Sequence, residues 1–500
     1  MGLRILHGRL NGSLNDINIY RRDTLLDHNF GAIEVIERKK VVVIGSGLAG
    51  TLICNELAES ADVILLEAGA KSTIEYPKIQ FLRKDFGVAK TFCIGGGGTT
   101  NLWDNGLIPI NLKDLSCKEF YEVINDAGDY MDRAASKLFF KNMYFSNEYE
   151  NVLYEMKLIA DKIGILGDGI DCLLYPKKYK RLIVNPKVKA FYSVHDINIS
   201  TKNKRIENIK FYIKSKEFYV KPDIVIICAG SLGTPSLVKK ILHATGYSFV
   251  KLGTGFIDHP MGFVGKVKLK KSLSKYVRKI AMVDKGNFIC HTAIRLKSEC
   301  GKYTCCAYLR PALTMKNQLD IYKYKSLLGA SKGKERIKKM FSWRLFHPDI
   351  LAEIFLHIFG FSIPSRIYNI LVIAEQKNGK NRVTYDENGL KVDWCITGEE
   401  LSIYNNILKK LNGRLLKISE KINIKTEITE EWLWSAAHHS GTISLGKDPE
   451  GLIDKNLRLN CCENVFVCDG SVIQEHSYAN TGLTIGQLAM RLAERVIKDN

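Results

Sequence analysis

Proline is scarce in this chain, 11 in 500 residues, and the 40 glycines belong to no repeat of fixed period. These shortages exclude collagen-like, Pro-rich linker and solenoid architectures. No run of about 18 uncharged apolar residues occurs, so no membrane-spanning segment is expected. The 13 cysteines are odd in number and scattered, and none forms a CxxC pair; Cys305–Cys306 and Cys461–Cys462 are direct neighbours. That pattern speaks against a zinc site and a disulfide framework, and for reduced thiols in a reducing, cytoplasmic compartment. The opening MGLRILHGRLNGSLNDIN has no sustained apolar core or small-residue cleavage site, so no signal peptide is expected. Leu6 stands where a myristoylation start needs Ser or Thr. Acidic side chains are outnumbered, 53 against 73 basic ones, which leaves a net charge of +20. No nucleic-acid motif accompanies that charge, so no nucleic-acid partner is expected, and much of it is a background rich in Lys throughout. A mean hydropathy of −0.08 with 10% aromatics places the chain among folded globular proteins.

What is present first is a complete β-turn-α-β unit. Val41 to Ile44 form a short apolar run, followed by Gly45, Gly47 and Gly50 in G-x-G-x-x-G spacing. Leu52, Ile53, Leu57 and Ala58 recur at helical spacing, and a second apolar run, Val63 to Leu66, ends at Glu67. Gly45 permits a tight turn, Gly47 lets backbone approach a pyrophosphate, and Gly50 lets helix and strand pack closely. The helix N-terminus offers free N–H groups to the phosphates, and Glu67 is placed to accept from ribose hydroxyls. A second segment, Cys93 to Leu107, reads CIGGGGTTNLWDNGL. Four glycines in a row suit a loop lying flat against a ligand, with Gly97, Thr99, Thr100 and Asn101 as cofactor contacts.

These segments resemble the glucose–methanol–choline (GMC) oxidoreductases, a family of FAD-dependent enzymes. Four further segments match in order: Asp223–Leu237 (DIVIICAGSLGTPSL), Gly253–Pro260 (GTGFIDHP), Ala374–Thr384 (AEQKNGKNRVT), and the closing region with His438–Gly446 (HHSGTISLG) and Asp454–Ala493. The resemblance covers the chain from about Lys39 to its end. It implies an α/β fold with a discontinuous, doubly wound Rossmann-type FAD domain over 1–110, 180–265 and 430–500. A substrate domain of antiparallel sheet plus helices would take 111–179 and 266–429. It further implies that Ala229, Gly230, Asp469, Gly470 and Thr481 line the flavin. Independently of it, residues 196–221 alternate like strands around a Lys/Asn-rich turn, and 480–497 carry an apolar stripe of Leu483, Leu488, Leu492 and Val496.

Alcohol oxidation by a flavin needs a base for the hydroxyl proton and a carbinol carbon facing flavin N5, to which it delivers hydride. His438, three residues before Gly441, matches the H-x-x-G position of the family's catalytic histidine, with His439 as competitor. Asn480, eleven residues after Asp469, matches the cholesterol-oxidase type of closing motif, in which an asparagine positions the substrate oxygen. His476 is expected on a loop surface. Ser440, Leu445 and Thr481 depart from the family's common residues, which weakens any transfer of substrate preference. The expected substrate is a sugar or glycoside hydroxyl first, a sterol or other lipid alcohol second. The rival reading is a flavin-fold subunit without turnover; a nicotinamide-dependent dehydrogenase would explain the first motif but not the closing one. The electron acceptor stays open among oxygen, a quinone and a protein.

One segment stands outside this scheme. Lys323 to Arg344 holds eight basic residues and one acidic residue, and Ile350, Leu351, Ile354, Phe355, Ile358 and Phe359 follow at helical spacing. A solvated basic loop with a core helix explains it; peripheral contact of 323–361 with an anionic membrane surface is the sharper expectation.

Overall fold

Val41 to Ile44 become the central strand of a parallel sheet in the computed structural model, which describes residues 38–178, 181–330, 342–359, 365–377 and 379–498. The strand Lys40–Ile44 lies between Asp62–Leu66 and Ile224–Ile227, with Lys189–Phe191 and Val465–Val467 at the two edges. Its valines are wholly buried, as expected of a strand covered on both faces. Helix Leu48–Leu57 makes the crossover between the first two strands. Helix Thr481–Lys498 packs against it and buries Leu483, Leu488, Leu492 and Val496, the stripe read from the sequence. Strand Ile224–Ile227 runs into helix Gly230–Thr245, so DIVIICAGSLGTPSL is a second strand–turn–helix unit.

An eight-stranded, largely antiparallel sheet carries the rest. Its path runs Val283–Asp284, Phe288–Lys297, Thr304–Ala312, Ile367–Ala374, Pro260–Leu269 and Ser419–Ile424; Ile170–Pro176 pairs with Phe288–Lys297, and Trp434–Ser435 with Pro260–Leu269. Helix Gly398–Leu416, opened by a Thr397–Glu400 capping box, packs on it. The alternation read at 196–221 is a meander of Val194–Lys202, Arg205–Ile213 and Lys216–Val220. Its first turn uses the left-handed residues Asn203 and Lys204. Helices Lys118–Ala127 and Met131–Lys137 pack on Thr481–Lys498 rather than on the antiparallel sheet. All 13 cysteines are free thiols.

Residues 1–37, and with them the opening of the expected flavin domain and the N-terminal leader reading, lie outside the described residues. So do 331–341 and 360–364, the greater part of the basic run. Of the described part of 323–361, Ile350 is buried against Ile321, Tyr324 and Leu328, whereas Trp343 and Phe346 are exposed. No described helix is long and apolar enough to cross a membrane.

Candidate active site

The glycine turn shows three different uses of a missing side chain. Gly45 has φ +105, and a Cβ there would meet the Cys228 carbonyl oxygen at 2.3 Å; a Cβ on Gly50 would meet the Gly45 carbonyl oxygen at 1.9 Å. At Gly47 a Cβ would meet nothing within 4 Å. That bare backbone caps helix Leu48–Leu57, which has no side-chain cap and no acidic residue in its first turn. The helix therefore presents its free N–H groups and partial positive charge to an open space, the arrangement a pyrophosphate requires. Helix Thr481–Lys498 likewise begins without an acid in its first turn.

Glu67 joins this turn to the GGGG loop. One carboxylate oxygen accepts from the Ser46 amide (2.9 Å) and hydroxyl (2.7 Å), the other from the Gly69 (2.8 Å) and Gly95 (3.0 Å) amides. The Asn101 amide donates to the Gly96 and Gly98 carbonyls, and the Thr100 hydroxyl donates to Gly97. Thr100 and Asn101 thus brace the loop, while Thr99 and Thr100 also line a cavity of about 300 Å³. Gly97 and Gly98 adopt left-handed φ values of +90 and +49. Asp469 accepts from the Gly230 amide (2.8 Å), the Thr234 hydroxyl (2.6 Å) and the Ser471 amide (2.7 Å), so it ties the end of one sheet strand to the start of helix Gly230–Thr245. Gly230, at φ +73, leaves open space around its Cα, with Ala229 as the helix N-cap; Gly470 packs under the His439 carbonyl.

The cavity brings His438, Asn480 and Thr481 together with the face of the antiparallel sheet. Ala437, at φ +64, turns the chain so that successive histidines diverge. His438 lines the cavity. His439 points into a core of Phe86 and Phe256, reaches the Thr91 hydroxyl at 3.0 Å, and lies 3.3 Å from the Asp258 carboxylate. The Asn480 side-chain oxygen is buried and has no hydrogen-bond partner among the described residues. His476, expected on a loop surface, is instead fully buried, its ring 3.8 Å from that of His259. The loop carrying it folds under the sheet, because its neighbours Ser477 and Tyr478 are tied to buried groups.

The DHP turn organises His438. The wholly buried Asp258 carboxylate accepts from the His438 amide (2.9 Å), the His259 amide (2.7 Å) and the Ser435 hydroxyl. The His259 ring lies between two partners: its Nε2 is 2.9 Å from the Ser477 carbonyl oxygen, and its Nδ1 is 2.7 Å from Nδ1 of His438. A carbonyl only accepts, so His259 carries its proton on Nε2. Burial holds His259 well below the usual histidine range, so it is neutral and its Nδ1 accepts. His438 must then donate from Nδ1, which leaves the lone pair on its Nε2. Burial brings His438 down to about 4 against the opposing Asp258 charge, and brings His439 and His476 down to about 3. Burial also pushes Asp258 up to about 6.

The GMC oxidoreductase family model matches residues 406–489. The fold is similar to that of pyridoxine 4-oxidase from Mesorbium loti, with a TM-score of 0.56 at 13% identity over 91% of this chain and 99% of that one. It is similar also to an FAD-dependent oxidoreductase from Chaetomium thermophilum, with a TM-score of 0.55 at 11% identity over 92% and 99%. No curated protein matches the sequence. The family match at the closing region and the Rossmann-type fold both agree with the resemblance to the GMC oxidoreductases. FAD is the cofactor of that class, and the bare Gly47 turn, the uncapped helix and the open Gly230 fit it.

Two parts of the site were not identified from the sequence as site residues. In the sequence Asp258 and His259 are part of a turn motif beside Pro260, and their contact with His438 joins distant segments. Thr91, the partner of His439, lies in no motif.

Proposed function

We propose that this protein oxidises the CH–OH group of an alcohol, with His438 Nε2 as the base for the hydroxyl proton. The observation that carries this reading is the hydrogen-bond chain Ser477–His259–His438, which leaves the lone pair of the cavity histidine on a defined atom. A histidine held near 4 is neutral throughout the physiological range, so that lone pair is available. Asn480, from the same cavity, orients the substrate oxygen through its side-chain amide, whose own oxygen is otherwise unpaired. The Asp258 carboxylate lies against the His438 backbone and stabilises the imidazolium that forms when the proton arrives. Bound FAD supplies the two-electron acceptor. The cavity walls include Phe263, Tyr308, Leu371, Ile373 and Trp434, which favours an alcohol on an apolar or aromatic body over the sugar first expected; the sterol or other lipid alcohol expected second is one such case.

The test is anaerobic flavin reduction by a panel of benzylic, aliphatic, sterol and sugar alcohols. At least one benzylic or aliphatic alcohol should bleach the flavin. His438→Ala should slow that step by at least about 10²-fold, the lower range of general-base catalysis. His439→Ala should slow it far less. Reduction that survives in His438→Ala but stops in His439→Ala would assign the base to the wrong histidine.

A further inference from the structure

Asn105 is a buried amide for which the described residues provide no partner. It is 2% exposed, it lines the same cavity as His438 and Asn480, and neither its amide oxygen nor its amide nitrogen has a hydrogen-bond partner among the described residues. Asn101, four residues earlier, has its amide engaged by two loop carbonyls. Buried amides are almost always paired, because an unpaired one forfeits its hydration with no return. The backbone at Asn105 is left-handed, with φ +58. Asparagine tolerates that conformation, but glycine adopts it more easily and would bury no polar group. Backbone conformation therefore does not account for the side chain.

Its location points to the substrate rather than to the cofactor. Leu107 exchanges both backbone hydrogen bonds with Leu174 on strand Ile170–Pro176, at 2.9 and 3.0 Å. Gly106 sits so close to Leu173 and Tyr175 that a Cβ there would meet both at 2.9 Å. Asn105 is thus fixed where the loop leaves the glycine turn and docks on the antiparallel sheet, among the walls of the cavity.

We propose that the Asn105 carboxamide is a specificity-determining group that reads the body of the substrate, and that it takes an alcohol bearing an adjacent hydrogen-bond donor and acceptor, such as a lactam, a carboxamide or a hydroxyazine. A primary amide presents one N–H and one carbonyl oxygen side by side, and its complement is the same pair reversed. This rests on the alcohol-oxidising reading of the cavity. A plain hydrocarbon alcohol would leave both amide atoms unpaired, and sites built to hydrogen-bond their ligand discriminate strongly against analogues that cannot respond.

The experiment uses the FAD-loaded protein and two primary alcohols of similar size, 5-(hydroxymethyl)-2-pyridone and benzyl alcohol. Binding is read by titration calorimetry and turnover by anaerobic flavin reduction. The pyridone should bind about 10- to 100-fold more tightly, the range of one bidentate amide contact. Asn105→Gly keeps the left-handed backbone, and the preference should collapse towards unity through weaker pyridone binding, at unchanged FAD content. Asn105→Asp, which keeps the size but loses the donor, should also lose it. Absence of a preference in the wild type, or its persistence in Asn105→Gly, overturns the proposal; loss of FAD from Asn105→Gly overturns it by assigning the amide to the cofactor. An Asn105-dependent preference in binding without flavin reduction by either alcohol would sink the oxidation reading and leave this one standing. Reduction by both alcohols with equal affinity would do the reverse.

Discussion

The glycine turn at 45–50 and the histidine cluster around 438 sit in one molecule under opposite rules. At the turn, the chain contacts itself through backbone, even where it meets Cys228 from a distant segment, and the Glu67 lone pairs are filled. At the cluster, four histidines and a carboxylate from distant segments are packed away from water, Ala437 and Ser477 are left-handed, and His476 has neither ring nitrogen bonded among the described residues. A binding cradle is made by removing side chains locally. A reacting centre is made by forcing polar side chains together against their hydration, which needs the rest of the fold to hold them.

Substitutions within the turn should separate its two functions most sharply. Gly50→Ala places a methyl group 1.9 Å from a carbonyl oxygen that cannot move without Cys228, so thermal stability and FAD content should both collapse. Gly47→Ala places it in open space, so the apoprotein should melt at the wild-type temperature while FAD affinity falls. Equal melting temperatures for both apoproteins would remove the distinction.

Acid should then weaken the cluster specifically. Histidines held below their ordinary 6.5 are neutral in the fold but take up protons once unfolded below that pH. Their contribution is intact above pH 6.5 and is lost as the pH falls towards 4. Asp258, held up at about 6, works in the opposite direction, but it is one group against four. Between pH 7.5 and 5.5 the four histidines cost about 5 kcal/mol, at about 1.4 kcal/mol for each pKa unit, and Asp258 together with Glu375, which burial pushes up to about 7, reduces the net loss to about 3 kcal/mol. Melting curves at those pH values measure it, and the loss should shrink when His476→Gln removes one buried ring. A flat profile would mean that the rings are hydrated.

The smallest expected effect isolates the tautomer. His259→Phe keeps the volume but removes the acceptor for His438 Nδ1–H, freeing the wrong nitrogen to hold the proton. Flavin reduction should slow by about 10- to 100-fold, comparable to losses from groups that orient a functional histidine, with FAD content unchanged. His259→Asn, which retains a side-chain acceptor, should recover part of the rate. A variant as fast as the wild type would show that His438 holds its tautomer unaided.

This contrast explains what could be read from the chain. The strand Val41–Ile44, the three glycines, the meander at 196–221 and the stripe of the closing helix were legible because each is written in consecutive or periodic residues. The convergence of His438 and Asn480 on one cavity followed from a resemblance, not from spacing. The grip of Asp258 and His259 on His438 was not legible, because hydrogen bonds between distant segments leave no local pattern. His476 was misplaced for the same reason: a polar residue in a loop reads as exposed until the loop's burial is known. Thr100 and Asn101 looked like ligand contacts, and the fold shows them also bracing their own loop.

Gly255 and Gly441 meet with no side chain on either side. A Cβ on Gly441 would lie 2.2 Å from the Gly255 carbonyl oxygen, and one on Gly255 would lie 3.0 Å from that of Gly441. The stretch leading to the DHP turn is thereby fastened to the stretch that follows the two histidines. Each position is limited by the main chain of the other, so enlarging one cannot be compensated by shrinking its neighbour. In evolutionary terms the pair has no epistatic escape: this seam closes only on two absences at once.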